Sequence, residues 1–273
     1  MKVLAISDLH LDFQENREAL RALPPHPDDW LILAGDTGHR VSDLTDALAW
    51  LTDRFRRVVW VPGNHELWTV PGESEALTGE ARYQHLVSTC RAHGVLTPED
   101  PYEQLTIDGV TYVLAPLFLL YDYSFAPAGV NRDAAVNWAV EENILCADEH
   151  YLHADPHASV VEWCEARCRW TEQRLEQVPR AHRLVLINHF PLRGDLVRIM
   201  IPRFRIWCGT RRTEQWHLRF NVAAVVTGHL HVRATDVIDG VRFEEVSLGY
   251  PRQWRREVGL EGYLRQVLPL RGS

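Results

Sequence analysis

No apolar run in this 273-residue chain approaches the ~20 residues of a membrane span. The apolar segment in the opening MKVLAISDLHLDF is too short for a signal-peptide core, and acidic residues follow it at once. A soluble, cytoplasmic protein with no membrane partner is expected. Cysteine is scarce: Cys90, Cys146, Cys164, Cys168 and Cys208 make an odd, loosely spaced set. They do not form a disulfide framework by pattern and fit a reduced compartment. Cys164 and Cys168 stand four apart, one face of a helix, where two small buried side chains outweigh a zinc half-site. Lysine is all but missing. Lys2 is the only one, which we attribute to genome base composition. Internal repeats, low-complexity tracts and a clear linker are also absent. One domain over 1–273 is the expectation, with oligomeric state left open.

Net positive charge is lacking too. The chain carries −8 overall, which argues against nucleic acid as a stable partner. One stretch runs the other way. Residues 193–219 hold seven arginines against Asp195 and Glu214, a net +5 that leaves −13 for the remainder. Arg252, Arg255 and Arg256 form a second basic cluster. A solvated surface is the usual meaning of such runs, and an acidic or phosphorylated partner is the functional one.

What the chain does have is core and rhythm. Hydrophobic residues make up 46%, which excludes disorder. Short apolar runs predict strands at 2–6, 30–35, 58–62, 109–116, 183–188 and 223–228, and a hairpin over 234–249 turning at Asp239-Gly240. Helical spacing predicts helices over 15–23, 42–55 with Ser42 as N-cap, 80–93, 133–150 and 157–177. Strand–helix alternation in the first third implies parallel pairing with right-handed crossovers. The closing hairpin implies antiparallel edges or a second sheet.

Five of these strands end alike. They run into Ser7-Asp8-Leu9-His10, Gly35-Asp36, Gly63-Asn64-His65-Glu66, Asn188-His189 and Gly228-His229-Leu230-His231. Ligands of α/β sheets bind beyond the carboxyl ends of strands, so the five ends can converge on one site. Two aspartates, one asparagine and five histidines offer nitrogen and oxygen donors without thiolate. Such a set suits Mn, Fe, Zn or Co. Eight groups exceed one tetrahedral ion and match two ions sharing a carboxylate. A histidine after a strand is ordinarily a loop residue. The argument rests on five in series. The other nine histidines, His39 among them, lack this placement and are assigned to structure or surface.

The motifs DLH, GD, GNHE, NH and GHLH, in that order, resemble the calcineurin-like metallophosphoesterase family. The resemblance implies an α/β fold, a four-layer α/β/β/α sandwich of two mixed β-sheets flanked by helices. It implies a metal-dependent phosphoric ester hydrolase with two divalent or trivalent ions, Mn or an Fe/Mn pair favoured over Zn. Carried over by motif, Asp8, His10, Asp36 and His231 would hold the first ion. Asp36 would bridge, and Asn64, His189 and His229 would complete the second. His65 would face the reacting phosphate as hydrogen-bond donor or general acid. Many members carry an acidic residue soon after GD that can orient this histidine. Here the run is GDTGHR, and Glu66 is the substitute considered.

PGNHELWT, FLLYDYSF, NHFPL, WCGT and GVRFEEVSLGYPRQWRR are more distinctive. They resemble the members of that family that act on carrier proteins, the phosphopantetheinyl hydrolases. The resemblance implies cleavage of the phosphodiester joining 4′-phosphopantetheine to a serine of an acidic acyl or peptidyl carrier protein. Arg203, Arg205 and Arg252 are candidates for the partner contact. Tyr121 and Trp254, with Tyr123, Trp207 and Tyr250, are candidates for the pantetheine arm, against a core role for each. A metallophosphoesterase acting on nucleotides, cyclic nucleotides or phosphoproteins is the alternative substrate class. A metal-stabilised scaffold without catalysis is the alternative outside enzymes, and the full set of eight groups speaks against it.

Overall fold

A computed structural model describes residues 1–72 and 77–270. In chain order the elements are β1 Val3–Ile6, α1 Gln14–Arg21, β2 His26–Leu33, α2 Val41–Arg54, β3 Phe55–Trp60, α3 Asn64–Leu67, α4 Gly79–Ala92, β4 Glu103–Ile107 and β5 Val110–Pro116. They continue with α5 Ala135–Val140, α6 Asp148–Tyr151, α7 Val160–Glu176, β6 Arg183–Ile187, α8 Trp216–Arg219, β7 Val222–Thr227, β8 Ala234–Ile238, β9 Val241–Glu245 and β10 Arg265–Leu268. The strands form two sheets, β10-β1-β2-β3 and β4-β5-β6-β7-β9-β8. β1, β2 and β3 pair in parallel, as do β5, β6, β7 and β9; β10, β4 and β8 are antiparallel edges.

The central strands read as unbroken apolar runs because both faces are covered. Val3, Ala5, Ile32, Val59 and Val61 share one buried cluster with Leu114, Val185, Ile187, Ala224 and Val226, so this face of each sheet packs on the other sheet. The alternate residues Leu4, Ile6, Leu31, Leu33, Trp60, Leu184 and Leu186 pack instead with helical side chains such as Leu44, Leu48 and Trp163. Two mixed sheets flanked by helices give the expected four layers. Among the described residues no helix is long and apolar enough to cross a membrane.

Local structure departs from the sequence expectation at three points. The helix predicted over 133–150 is a 3₁₀ turn at Arg132–Ala134, then α5 and α6. Asn143 takes φ +58°, and the Ile144 amide donates to the Ala139 carbonyl, which closes α5 early. Ser42 is not the cap of α2. The helix begins at Val41, and the Arg40 amide donates to the Asp43 side chain at 3.4 Å. Edge strands β4 and β10 carry polar residues, Gln104 and Thr106 in one and Arg265 and Gln266 in the other, which hid them from an apolar-run reading. The hairpin turning at Asp239-Gly240 is present as β8 and β9.

Candidate metal centre

The carboxyl ends of β1, β2 and β3 meet those of β6 and β7 where the two sheets touch. Residues just past β9 join them: the Ser7 amide donates to the Val246 carbonyl (3.3 Å), and the Leu248 and Gly249 amides donate to the Ser7 and Asp8 carbonyls (2.9 and 3.0 Å). The first two loops hook in the same way. The Asp8 amide donates to the Gly35 carbonyl and the His10 amide to the Asp36 carbonyl, at 2.9 and 3.0 Å. Asp8, His10, Asp36, His229 and His231 all have φ between +42° and +72°. Left-handed backbone costs a non-glycine residue roughly 1–3 kcal/mol, and such strain gathers where side chains must be aimed.

The aimed side chains fall into three overlapping groups, each with ligand atoms within 4.8 Å of one another: Asp8, His10 and His231; His10, Asp36 and His65; and Asp36, His189 and His229. His10 Nε2 and His231 Nε2 face each other at 3.0 Å, and His231 Nε2 lies 3.1 Å from Asp8 Oδ1. Asp36 Oδ2 lies 3.4 Å from His189 Nε2 and 3.7 Å from His65 Nε2. Asn64 Oδ1, His189 Nε2 and His229 Nε2 are buried without a hydrogen-bond partner. Buried polar atoms are rarely left so, and three together are what cation ligands look like before the cation arrives. The donors are nitrogen and oxygen only, and the residues fit two cations with Asp36 between them.

Outer contacts fix which atom each ligand presents. Gln253 Oε1 accepts from the Tyr250 amide (2.7 Å), so it is an acceptor, and His231 Nδ1 at 2.8 Å must be the donor. That leaves the lone pair on His231 Nε2. His189 Nδ1 is likewise 2.9 Å from the Ala34 carbonyl, which leaves Nε2 free. Behind Asp8, Oδ2 accepts from Ser7 Oγ (2.5 Å) and Ser247 Oγ (2.7 Å), and Ser247 Oγ also contacts Glu245. Burial, reinforced by Asp8, pushes the Glu245 carboxyl up to about 7.

Charge follows from burial and neighbours. Burial favours neutral carboxyls, but His231 outweighs it at Asp8 and His189 outweighs it at Asp36, and both stay ionised. Burial pushes His10 down to about 4 and His65 and His229 to about 3, leaving neutral imidazoles with lone pairs to give. Burial acts the same way on His189, but Asp36 overrides it and raises the imidazole to about 10.

Glu66 is not the residue that orients His65. Its Oε2 accepts from the Asp36 and Gly63 amides and its Oε1 from the Thr37 amide, at 2.9, 2.9 and 2.7 Å. It stitches the β2 and β3 loops together instead. His65 is packed by rings. Trp68 stacks at 3.9 Å, His39 at 4.7 Å, and His10 meets it edge-on at 4.7 Å. His39, assigned to structure or surface from sequence, therefore borders the site, with Nδ1 3.0 Å from Asp12 Oδ1. Its place three residues after Asp36 in GDTGHR was the available signal. Asn188 is structural: its Oδ1 accepts from the Leu119 amide and its Nδ2 donates to the Phe190 carbonyl.

The outer candidates divide. Tyr250 stacks on His10 at 4.6 Å and meets His231 edge-on at 4.8 Å. Exposed Arg252 lies 5.9 Å from the Tyr250 ring. Tyr121, Trp207 and Trp254 are core, 1%, 0% and 7% exposed, and a side chain so enclosed offers no surface to a pantetheine arm. Trp254 also spends its indole N–H on Asn16 Oδ1 at 3.0 Å. Arg203 is bound to the Trp138 carbonyl, Glu141 and Glu142, and Arg205 donates to the Gly194 carbonyl at 3.1 Å. Other arginines of the basic segment are also matched: Arg193 with Asp195, Arg198 with Asp236, Arg212 with Glu165, and Arg219 with Glu172 and Glu176. Asp195 is already counted in the net +5 read along the sequence, and Arg198, Arg203, Arg212 and Arg219 offset most of that charge with carboxylates from elsewhere in the chain.

The profile of the calcineurin-like phosphoesterase family matches residues 1–233. The [acyl-carrier-protein] phosphodiesterase PptH of Mycobacterium tuberculosis is 47% identical over 268 residues, 97% of this chain and 82% of that protein. The crystal structure of phosphopantetheinyl hydrolase (PptH) from Mycobacterium tuberculosis superposes with a TM-score of 0.94 at 45% identity, covering 98% of this chain and 96% of that one. This chain belongs to the calcineurin-like phosphoesterase family.

Proposed function

We propose that this calcineurin-like phosphoesterase hydrolyses the phosphodiester between 4′-phosphopantetheine and the serine of a holo acyl or peptidyl carrier protein, releasing apo carrier protein and 4′-phosphopantetheine. The observation that carries the substrate is the 47% identity to an acyl-carrier-protein phosphodiesterase across 97% of the chain. The geometry carries the chemistry. Asp8, His10, Asp36 and His231 would hold one cation. Asn64, His189 and His229 would hold the other, with Asp36 shared. Both sheets contribute ligands, so the whole chain works as one unit. Manganese or an iron–manganese pair suits the nitrogen and oxygen donors. When bound, the pair supplies Lewis acidity toward the phosphate oxygens and lowers the pKa of water.

The chain's own groups then have distinct tasks. Asp36, ionised and facing both clusters, sets their separation and charge. His65 stands beside them with its Nε2 3.7 Å from Asp36 Oδ2. Burial keeps it neutral, and among the described residues no dedicated carboxylate backs its Nδ1, so its task is to donate a hydrogen bond to a phosphate oxygen or to the departing serine oxygen. Trp68 and His39 hold its ring in place. Tyr250 covers His10 and carries Arg252 at the rim, where that cation can meet an acidic partner. No serine or cysteine is needed as nucleophile.

The test is intact-protein mass spectrometry of holo acyl carrier protein incubated with the enzyme and Mn²⁺, beside Asp36→Asn. Conversion to the apo mass by the wild type alone is expected. An unchanged holo mass, with an aryl phosphodiester still cleaved, would discard this substrate and keep the hydrolase.

A further inference from the structure

Asp148 is a buried acid, 1% exposed, that belongs to none of the metal-binding groups. It lies on α6, in the long excursion between β5 and β6. Its Oδ1 accepts two hydrogen bonds, from Asn64 Nδ2 at 2.8 Å and from Trp68 Nε1 at 2.7 Å. An indole N–H can only donate and an ionised carboxylate can only accept, so this oxygen takes both bonds as an acceptor. The Asn64 atom facing it must then be the NH₂, and Oδ1 of the same amide points to the other side, buried and without a hydrogen-bond partner. The two ends of an asparagine have nearly the same shape. Only a partner that distinguishes donor from acceptor fixes which end faces the cation, and only the oxygen can ligate.

We propose that Asp148 is a positioning residue that holds the Asn64 amide oxygen toward the second cation and, through Trp68, packs the ring that stacks on His65. The proposal rests on the reading of Asn64 as a ligand. The anchoring of α6 supports it. The neighbouring Glu149 Oε1 accepts from Trp207 Nε1 (2.6 Å) and Tyr123 Oη (2.8 Å), and the Thr69 amide donates to the Tyr151 carbonyl at 2.9 Å. The helix is thus tied on one side to the core and on the other to the loop that carries Asn64.

Asp148→Leu keeps the branching at Cγ and removes the acceptor. Titrated with Mn²⁺ and assayed for metal content, it should bind about one ion per chain where the wild type binds two, with the weaker site losing about 10- to 100-fold in affinity. Asp148→Asn keeps an acceptor oxygen and should restore most of the second site. In Asn64→Asp/Asp148→Leu the side chain has no wrong end, so binding should recover relative to Asp148→Leu alone. Should the leucine variant be insoluble, Asp148→Ala carries the same expectation with water filling the gap. Two ions retained by the Leu or Ala variant, while Asn64→Ala loses one, would overturn the proposal. Two ions retained by Asn64→Ala would overturn the ligand reading beneath it.

Discussion

A single methyl group placed on Gly63 should disable the centre without replacing a ligand. Gly63 has φ −96° and ψ −174°, backbone that alanine adopts freely, so the substitution carries no conformational penalty. The penalty is contact. A Cβ there would stand 2.0 Å from Asp36 Oδ1 and 2.6 Å from the Asp36 nitrogen, where ordinary contact begins at 3.4 Å. Relief needs about 1 Å of movement, and Asp36 is not free to give it. Its amide donates to Glu66 Oε2, the oxygen that also accepts from Gly63, and its Oδ1 accepts from the His65 amide at 3.0 Å. Overpacking of this kind costs roughly 1–3 kcal/mol of stability. A misplacement of about 1 Å at reacting groups costs about 10²-fold in rate. Gly63→Ala should therefore stay folded and lower kcat on an aryl phosphodiester by about two orders of magnitude, with weakened Mn²⁺ binding. Melting temperature, metal content and kcat on one preparation measure all three. Wild-type kcat with wild-type metal content would show that the β2 and β3 loops do not hold Asp36 as rigidly as the contacts require.

Asp36→Asn should reduce turnover by at least about 10³-fold, about 4 kcal/mol, and weaken both cations, because one carboxylate faces both groups; near-normal turnover would remove the shared-ligand reading. His65→Ala should cut kcat by roughly 10²- to 10⁴-fold with metal content intact. Metal loss in that variant would make His65 a ligand, a role its closeness to His10 and Asp36 permits chemically. Arg252→Glu should lower kcat/KM on carrier protein and leave the aryl phosphodiester unaffected. With most arginines of 193–219 already paired with carboxylates, carrier turnover should respond only weakly to salt, and a steep fall would show that this segment steers the partner after all. Glu245 is raised from 4.5 to about 7, so its contribution to stability is fully present below pH 4.5 and is lost as pH rises through 7. Glutamine cannot ionise. Denaturation of the metal-free chains should show wild type losing about 3 kcal/mol relative to Glu245→Gln between pH 4 and pH 9, and parallel stability curves would refute this.

The groups that cluster at the strand ends were readable in the sequence because two local rules act on the same few residues. A strand buried on both faces must be apolar along its length, and whatever follows its carboxyl end is delivered to the sheet's mouth. Asp8, Asp36, Asn64, His189 and His229 each obey both. The groups behind them obey neither. Asp148 stands 84 residues after Asn64, Gln253 22 after His231, and Ser247 239 after Asp8. Such partners are chosen by the fold and leave no spacing to read. The aromatic candidates failed for a related reason. Tyr121 and Trp254 sit in distinctive stretches, but a large ring has far more to gain inside a core than at a rim, and burial decided both. Charge misled in the same direction. An arginine-rich segment looks like a patch when its neighbours are counted along the chain, while its carboxylate partners, Glu141, Glu165, Glu172 and Asp236, come from other elements. Among the described residues Arg252 has no carboxylate partner, and it lies beside Tyr250, the ring stacked on His10. A local rule therefore identifies which groups gather at the strand ends. What aims those groups depends on contacts between distant segments, and variants that leave every ligand in place, Gly63→Ala and Asp148→Leu, are the ones that test whether the aiming matters.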